Sequence, residues 1–158
     1  MRKFLIVGFV SGLIGFVAGN AFWYLASPLW IDVEVIETAS AAQTAEIVAQ
    51  GKFVDADRLH KGKGSATIYE GTTGERILRL ANFEVTNGPD LKVWLVSHPD
   101  PTSAGDVTDS RWISLGRLKG NIGDQNYDIP AEVDLNKFGS VVIWCEQFSV
   151  LFSTAALE

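Results

Sequence analysis

The sequence predicts an all-β domain, an antiparallel β-sandwich or jelly-roll-like barrel of about eight strands, preceded by one N-terminal transmembrane helix. Three observations lead there. From Gly51 onward, short apolar runs with period-two alternation are separated by Gly, Asn, Asp and Pro turns, which is strand and hairpin grammar. Residues 4–31 carry no charged side chain, and such a run crosses about 30 Å of hydrocarbon at roughly 1.5 Å per residue. All 19 acidic residues lie at or after Asp32, so charge and hydropathy divide the chain at the same place.

Residues 1–31 read as a transmembrane signal anchor. Arg2 and Lys3 precede the apolar run, which by the positive-inside tendency leaves the N-terminus cytoplasmic and the remainder extracytoplasmic. Trp23, Tyr24 and Trp30 fall where an outer aromatic belt belongs, and Pro28 is suited to stop the helix. A cleaved signal peptide has an apolar region of roughly 7 to 15 residues ending in a small-x-small site. Ala39-Ser40-Ala41 has that pattern but lies beyond Asp32, Glu34 and Glu37, so an uncleaved anchor is expected. Gly8, Gly12, Gly15 and Gly19 share one helical stripe, a face through which two copies could form a homodimer, although glycine is also common in membrane helices generally. Residues 32–50 are acidic, rich in Ala and Thr, and lack alternation. They read as a juxtamembrane stalk, partly helical over 41–49.

Residues 51–158 form the predicted β domain. Strands are expected over 51–54, 65–70 and 76–80, the last two joined as a hairpin by Gly71-Thr72-Thr73-Gly74, with 83–85 continuing the line. Asn87-Gly88-Pro89-Asp90 is a strong turn ahead of the alternating strand 91–96. Two prolines make 98–109 a polar loop. Further strands are expected over 112–118 and 125–129, and a short helical turn within 130–137. The closing hairpin pairs 140–146 with 150–155 and holds the single cysteine, Cys145.

Composition excludes several functions. The part from Asp32 on has 11 basic against 19 acidic residues, a formal charge of −8, which repels nucleic acid and anionic lipid. One cysteine permits no intramolecular disulfide, no CxxC pair and no zinc cluster. The serine-hydrolase, zinc-protease, P-loop and dinucleotide glycine patterns are absent. His60 and His98 are the only imidazoles. With Cys145 they have the residue types of a blue-copper site, but the usual histidine and methionine shortly after the cysteine are missing. A haem would draw on the same two histidines. The sequence therefore requires no cofactor and no metal.

Cys145 shares a strand face with Val141 and Ile143. Val142 and Trp144 make the opposite face apolar too, so periodicity leaves both orientations open. An inward sulfur is an inert core group. An accessible one beside a cation from His60, Arg79 or Lys119 is a reactive thiol with a depressed pKa. His60 sits in a basic, glycine-flanked stretch with Arg58, Lys61 and Lys63, which reads either as a solvated loop or as a ligand position or partner of Cys145, so Cys145 and His60 are the candidate site residues.

The order Gly51-x-Phe53, Ala56-Asp57, His60, Gly64-x-Ala66, Ile68-Tyr69, Leu78-Arg79-Leu80, Asn82-Phe83, Asn87-Gly88-Pro89-Asp90-Leu91, Leu115-Gly116-x-Leu118-Lys119-Gly120, Tyr127-x-Ile129-Pro130, Val133-Asp134-Leu135 and Val141-Val142-Ile143-Trp144-Cys145 resembles the DM-thirteen electron-transfer domain. The resemblance runs from Gly51 to Leu157, and its most specific pieces are the Asn-Gly-Pro-Asp-Leu turn and the Ile-Trp-Cys end. It implies a small β domain, found beside haem-binding DOMON domains in animals and plants and as a membrane-tethered single domain in bacteria. It also implies electron transfer with Cys145 as the redox-active thiol; a DOMON partner is not present in this sequence, so the electron source is open, a redox protein or an envelope protein is the expected partner, and the domain reads as a redox module more than as an enzyme by itself. The alternative is a non-catalytic sandwich that binds or scaffolds an envelope protein or glycan, with Cys145 in the core and an exposed aromatic patch involving Trp94 or Trp112.

Overall fold

The structure, a computed structural model, describes residues 2–27, 30–39 and 45–158. It divides into two units, Met1–Ile31 and Asp32–Glu158. In the first, α1 (Arg2–Ala26) is an unbroken apolar helix, of which Arg2–Tyr24 is long and apolar enough to cross a membrane. Its one amide side chain, Asn20, donates back to the Phe16 carbonyl at 2.7 Å. A Cβ added at any of Gly8, Gly12, Gly15 or Gly19 would meet nothing within 4 Å. Pro28 and residues 40 and 41 of the small-x-small pattern lie outside the described residues.

The second unit contains β1 (Glu34–Ile36), β2 (Glu46–Lys52), β3 (Val54–Asp55), β4 (Gly62–Glu70), β5 (Arg76–Val85), β6 (Leu91–Val96), β7 (Trp112–Arg117), β8 (Ile122–Ile129), β9 (Ser140–Cys145) and β10 (Val150–Ala156), with a short helix α2 (Ala104–Thr108) between β6 and β7. They form two five-stranded sheets, ordered β1-β8-β5-β4-β2 and β3-β10-β9-β6-β7. Every pairing is antiparallel except β1 with β8. The result is a sandwich; the sheets do not close into a barrel, and ten strands replace the expected eight or so.

The two additional strands arise where a stalk was expected. β1 and β2 are sheet members, and the region 41–44, part of the expected helix, lies outside the described residues. Polar tethers rather than an apolar stripe hold this stretch. The Asp32 carboxylate accepts from the side-chain amides of Asn87 at 2.7 Å and Asn121 at 2.8 Å, and Glu37 accepts from the Asn126 backbone at 2.7 Å and from Lys119 at 2.7 Å. Gln50 and Glu158 exchange backbone hydrogen bonds. The runs 76–80 and 83–85 merge into β5 across a bulge where Asn82 adopts φ +49. Opposite it, Gly64 at φ +106 admits no side chain, because a Cβ would lie 2.7 Å from the Asn82 carbonyl oxygen.

Within the 98–109 loop, Ser103 and Asp106 form a capping box that starts α2 and buries Val107. That helix covers the outer face of the second sheet, where Trp94, Val96, Val142, Trp144 and Leu151 cluster with Val107. The inner face joins Val93, Leu95, Val141, Ile143 and Cys145 to Ile68, Leu78, Leu80 and Phe83 of the first sheet. All six residues of β9 are therefore buried, each large aliphatic contributing about 1.5–3 kcal/mol. Coverage on both sides is why β9 reads as a continuous apolar run.

Candidate functional site

Cys145 is the last residue of β9, paired with Leu91 on one side and Val150 on the other. Its orientation is inward, on the face of Val141 and Ile143. The turn before β6 folds over it. Asp90 sits at φ +52, a left-handed conformation that aspartate tolerates, and this aims the preceding carbonyl at the thiol. Cys145 Sγ donates to the Pro89 carbonyl at 3.1 Å, while the Glu146 amide donates to the Asp90 carbonyl at 3.2 Å. The two most specific pieces of the sequence pattern, far apart in the chain, thus meet at one sulfur.

That sulfur is fully shielded, with Cys145 0% exposed. Burial pushes the thiol pKa up, the Phe148 and Gln147 amides of the closing turn pull the other way, and the Asp90 carboxylate adds to the rise. The group is a protonated thiol at neutral pH. Of the two orientations that periodicity leaves open, the sulfur takes the inward one, and the accessible thiol with a depressed pKa is not formed. Around it on the surface, Lys92 bridges Asp90 at 3.1 Å and Glu146 at 3.3 Å; hydrogen bonding to Asp90 foremost, then to Glu146, raises the Lys92 pKa against the opposing effect of burial.

The Cys145–His60 pair does not form. His60 Nδ1 bonds Asp57 Oδ2 at 2.7 Å, and Asp57 Oδ1 accepts from the Leu59 and His60 amides at 2.7 and 2.8 Å. The His60 side chain, followed by those amides, draws the Asp57 pKa down to about 2. The imidazole packs on Phe152, with ring centroids 4.3 Å apart. Phe152 belongs to the inner core with Cys145, and the Gly88 backbone approaches the same ring closely. His60 therefore packs on the inner core through Phe152 and makes no bond to Cys145.

The other candidate cations are engaged elsewhere. Arg79 bonds Asp124, the Asn126 side chain at 2.9 Å and the Glu37 carbonyl at 3.2 Å. Lys119 bonds Glu37 at 2.7 Å and the Asn126 carbonyl at 2.8 Å. His98 accepts from the Asp100 amide at 3.2 Å, and its carbonyl accepts from Ser140 Oγ at 2.7 Å. Ser140 is at the opposite end of β9, about 16 Å from Cys145 at roughly 3.3 Å per residue. The three residues of the blue-copper test are thus not assembled. Among the described residues no cluster of three or more His, Cys, Asp or Glu side chains is placed to hold a metal ion.

Sequence reasoning missed the roles of Pro89, whose carbonyl accepts from the thiol, and of Phe152, which fills the same core against His60 and Gly88. Proline's carbonyl leaves no compositional mark, and Phe152 follows Val150 inward by ordinary alternation, the β10 bulge changing the parity only beyond it.

Fold and site together define a small β-sandwich domain that holds one protonated thiol under a Gly-Pro-Asp turn, in a chain that begins with a membrane-length helix. Over residues 52–157 the chain matches the family described as electron transfer DM13, and it belongs to that family. No curated protein and no solved structure matches it.

Proposed function

We propose that the protein is a membrane-tethered, extracytoplasmic electron-transfer module in which Cys145 is the redox-active group, operating by one-electron, proton-coupled oxidation. The observation that carries this reading is the shielded Cys145–Pro89 hydrogen bond. A thiol that is protonated and closed to solvent is a poor nucleophile and cannot meet a second sulfur. An electron can still leave it. In that step Cys145–SH gives one electron to a high-potential acceptor of the metalloprotein class and its proton to solvent water as the Pro89 turn over it opens, leaving a sulfur radical that a one-electron donor and a proton from water later return to the thiol. The family membership supports the electron-transfer assignment. The apolar helix α1 supports the tether, and Arg2 and Lys3 ahead of it, with every acidic residue behind it, support a cytoplasmic N-terminus. His60 acts as a positioning residue by packing on Phe152 of the same core.

The raised thiol pKa and full burial also favour a second reading, an envelope-binding sandwich with Cys145 as core filling. The two separate in one experiment on the full chain in detergent, titrated with a high-potential ruthenium(III) complex while electrons delivered and free thiol remaining are counted. The redox reading expects the thiol to be consumed and Cys145→Ser, whose hydroxyl keeps a donor toward Pro89, to deliver fewer electrons. Equal electron counts in both chains leave the binding reading standing.

A further inference from the structure

The outer face of the second sheet carries three tryptophans in a row. Trp112, on edge strand β7, is 42% exposed, whereas Trp94 and Trp144 are 3% and 2% exposed. The Trp112 and Trp94 rings are stacked, 3.9 Å between centroids and 6° between planes. Trp94 and Trp144 follow at 5.2 Å and 28°. The register explains the row: Val96 pairs with Trp112, Trp94 with Val142 and Lys92 with Trp144, so the indoles are diagonal neighbours across three adjacent strands. Trp144 is bonded in the chain to Cys145.

We propose that Trp112, Trp94 and Trp144 form a conduit for single oxidising equivalents, from a one-electron oxidant docked at the exposed Trp112 edge to the residue preceding Cys145. Indole is among the most easily oxidised of side chains, and overlapping rings let one electron move between neighbours without any atom moving far. The oxidant takes one electron from Trp112 and leaves its radical cation. An electron from Trp94 restores Trp112, and one from Trp144 restores Trp94. Resting on the electron-transfer reading above, the last step moves one electron from the Cys145 thiol to Trp144, and the thiol proton passes to solvent water as the Pro89 turn over it opens.

A second observation at the centre of the row points the same way. Trp94 Nε1 is buried and has no hydrogen-bond partner among the described residues, a costly arrangement where packing is the only purpose. An indole radical cation is strongly acidic. An acceptor at Nε1 would take its proton and strand a neutral radical, so the partnerless N–H keeps the charge transferable. Val96, Val107, Val142 and Leu151 sheathe the buried pair, which keeps water from acting as that base.

The test uses the full chain in detergent micelles with Trp23→Phe and Trp30→Phe, so that the remaining indoles are the three in the row. Ruthenium(III) tris-bipyridine is generated by flash-quench, and the radical spectrum and the Cys145 thiol lost per flash are recorded. The parent is expected to show the protonated indole radical, decaying faster than in Cys145→Ser. Trp112→Phe, an exposed change that spares the core, is expected to cut both radical yield and thiol loss several-fold. Trp94→Phe should leave only a deprotonated radical at Trp112. Unchanged radical yield and thiol loss in Trp112→Phe overturn the conduit. A yield that falls in Trp112→Phe, with a radical lifetime indifferent to Cys145→Ser, upholds the conduit and removes the thiol as its terminus.

Discussion

Gly88→Ala tests the closure over Cys145. A Cβ at Gly88 would lie 2.6 Å from two ring carbons of Phe152 and 3.2 Å from Leu91 Cδ2, where ordinary contact begins at 3.4 Å. Phe152 is 5% exposed and backed by the His60 ring, so it has little room to retreat. Overpacking of this kind costs about 1–3 kcal/mol. At about 4 °C per kcal/mol for a domain of this size, the melting point should fall by roughly 4–12 °C. The turn that carries the Pro89 carbonyl should lift with it, so Cys145 should alkylate faster in Gly88→Ala than in the parent. Adding Phe152→Leu should recover part of both effects, a non-additive coupling of about 0.5–3 kcal/mol. Melting of the full chain by circular dichroism, with a parallel alkylation time course, reads both quantities. An unchanged melting point together with an unchanged alkylation rate would refute the closure.

In His60→Ala, the Asp57 carboxyl should titrate well above the value of about 2 that it has in the parent, as followed by carbon NMR; a midpoint that stays put denies the His60–Asp57 bond. Because folding lowers that pKa, its contribution to stability is present above the ordinary 3.8 and is lost as pH falls through about 2. Tyr127 behaves oppositely. Burial, opposed by the Lys119 amide and reinforced by Glu37, raises its phenol to about 12, so its contribution is present below the ordinary 10.0 and lost as pH rises through about 12. The ultraviolet difference between the parent and Tyr127→Phe should show ionisation near that pH, and a midpoint near 10 would contradict the burial of the phenol.

Much of this architecture is legible in the residues. The strand expected over 91–96 coincides with β6, the closing hairpin with β9 and β10, and the apolar start with α1. The orientation of Cys145 is not legible, because α2, grown from a loop that reads as polar, buries the outer face of β9 and erases its alternation. β1 escapes notice because the carboxylates of Asp32 and Glu37 attach its ends, and β2 because a backbone ladder to β4 holds it with few inward apolar side chains. The fate of His60 had a visible cue: Asp57, three residues earlier, is spaced to cap and bind it. The tryptophan row had none, since Trp94, Trp112 and Trp144 align only through the pairing of three strands.

The central claim is that Cys145 yields electrons while withholding its thiolate. Its most direct test is the consumption of the Cys145 thiol in the intact full chain, by iodoacetamide across pH and by a ruthenium(III) oxidant at pH 7. Alkylation should be negligible at neutral pH and rise only above the ordinary cysteine value of about 8.5, while the one-electron oxidant removes the thiol at pH 7. Fast alkylation with a midpoint below that value, or a thiol that survives the oxidant, would contradict the account.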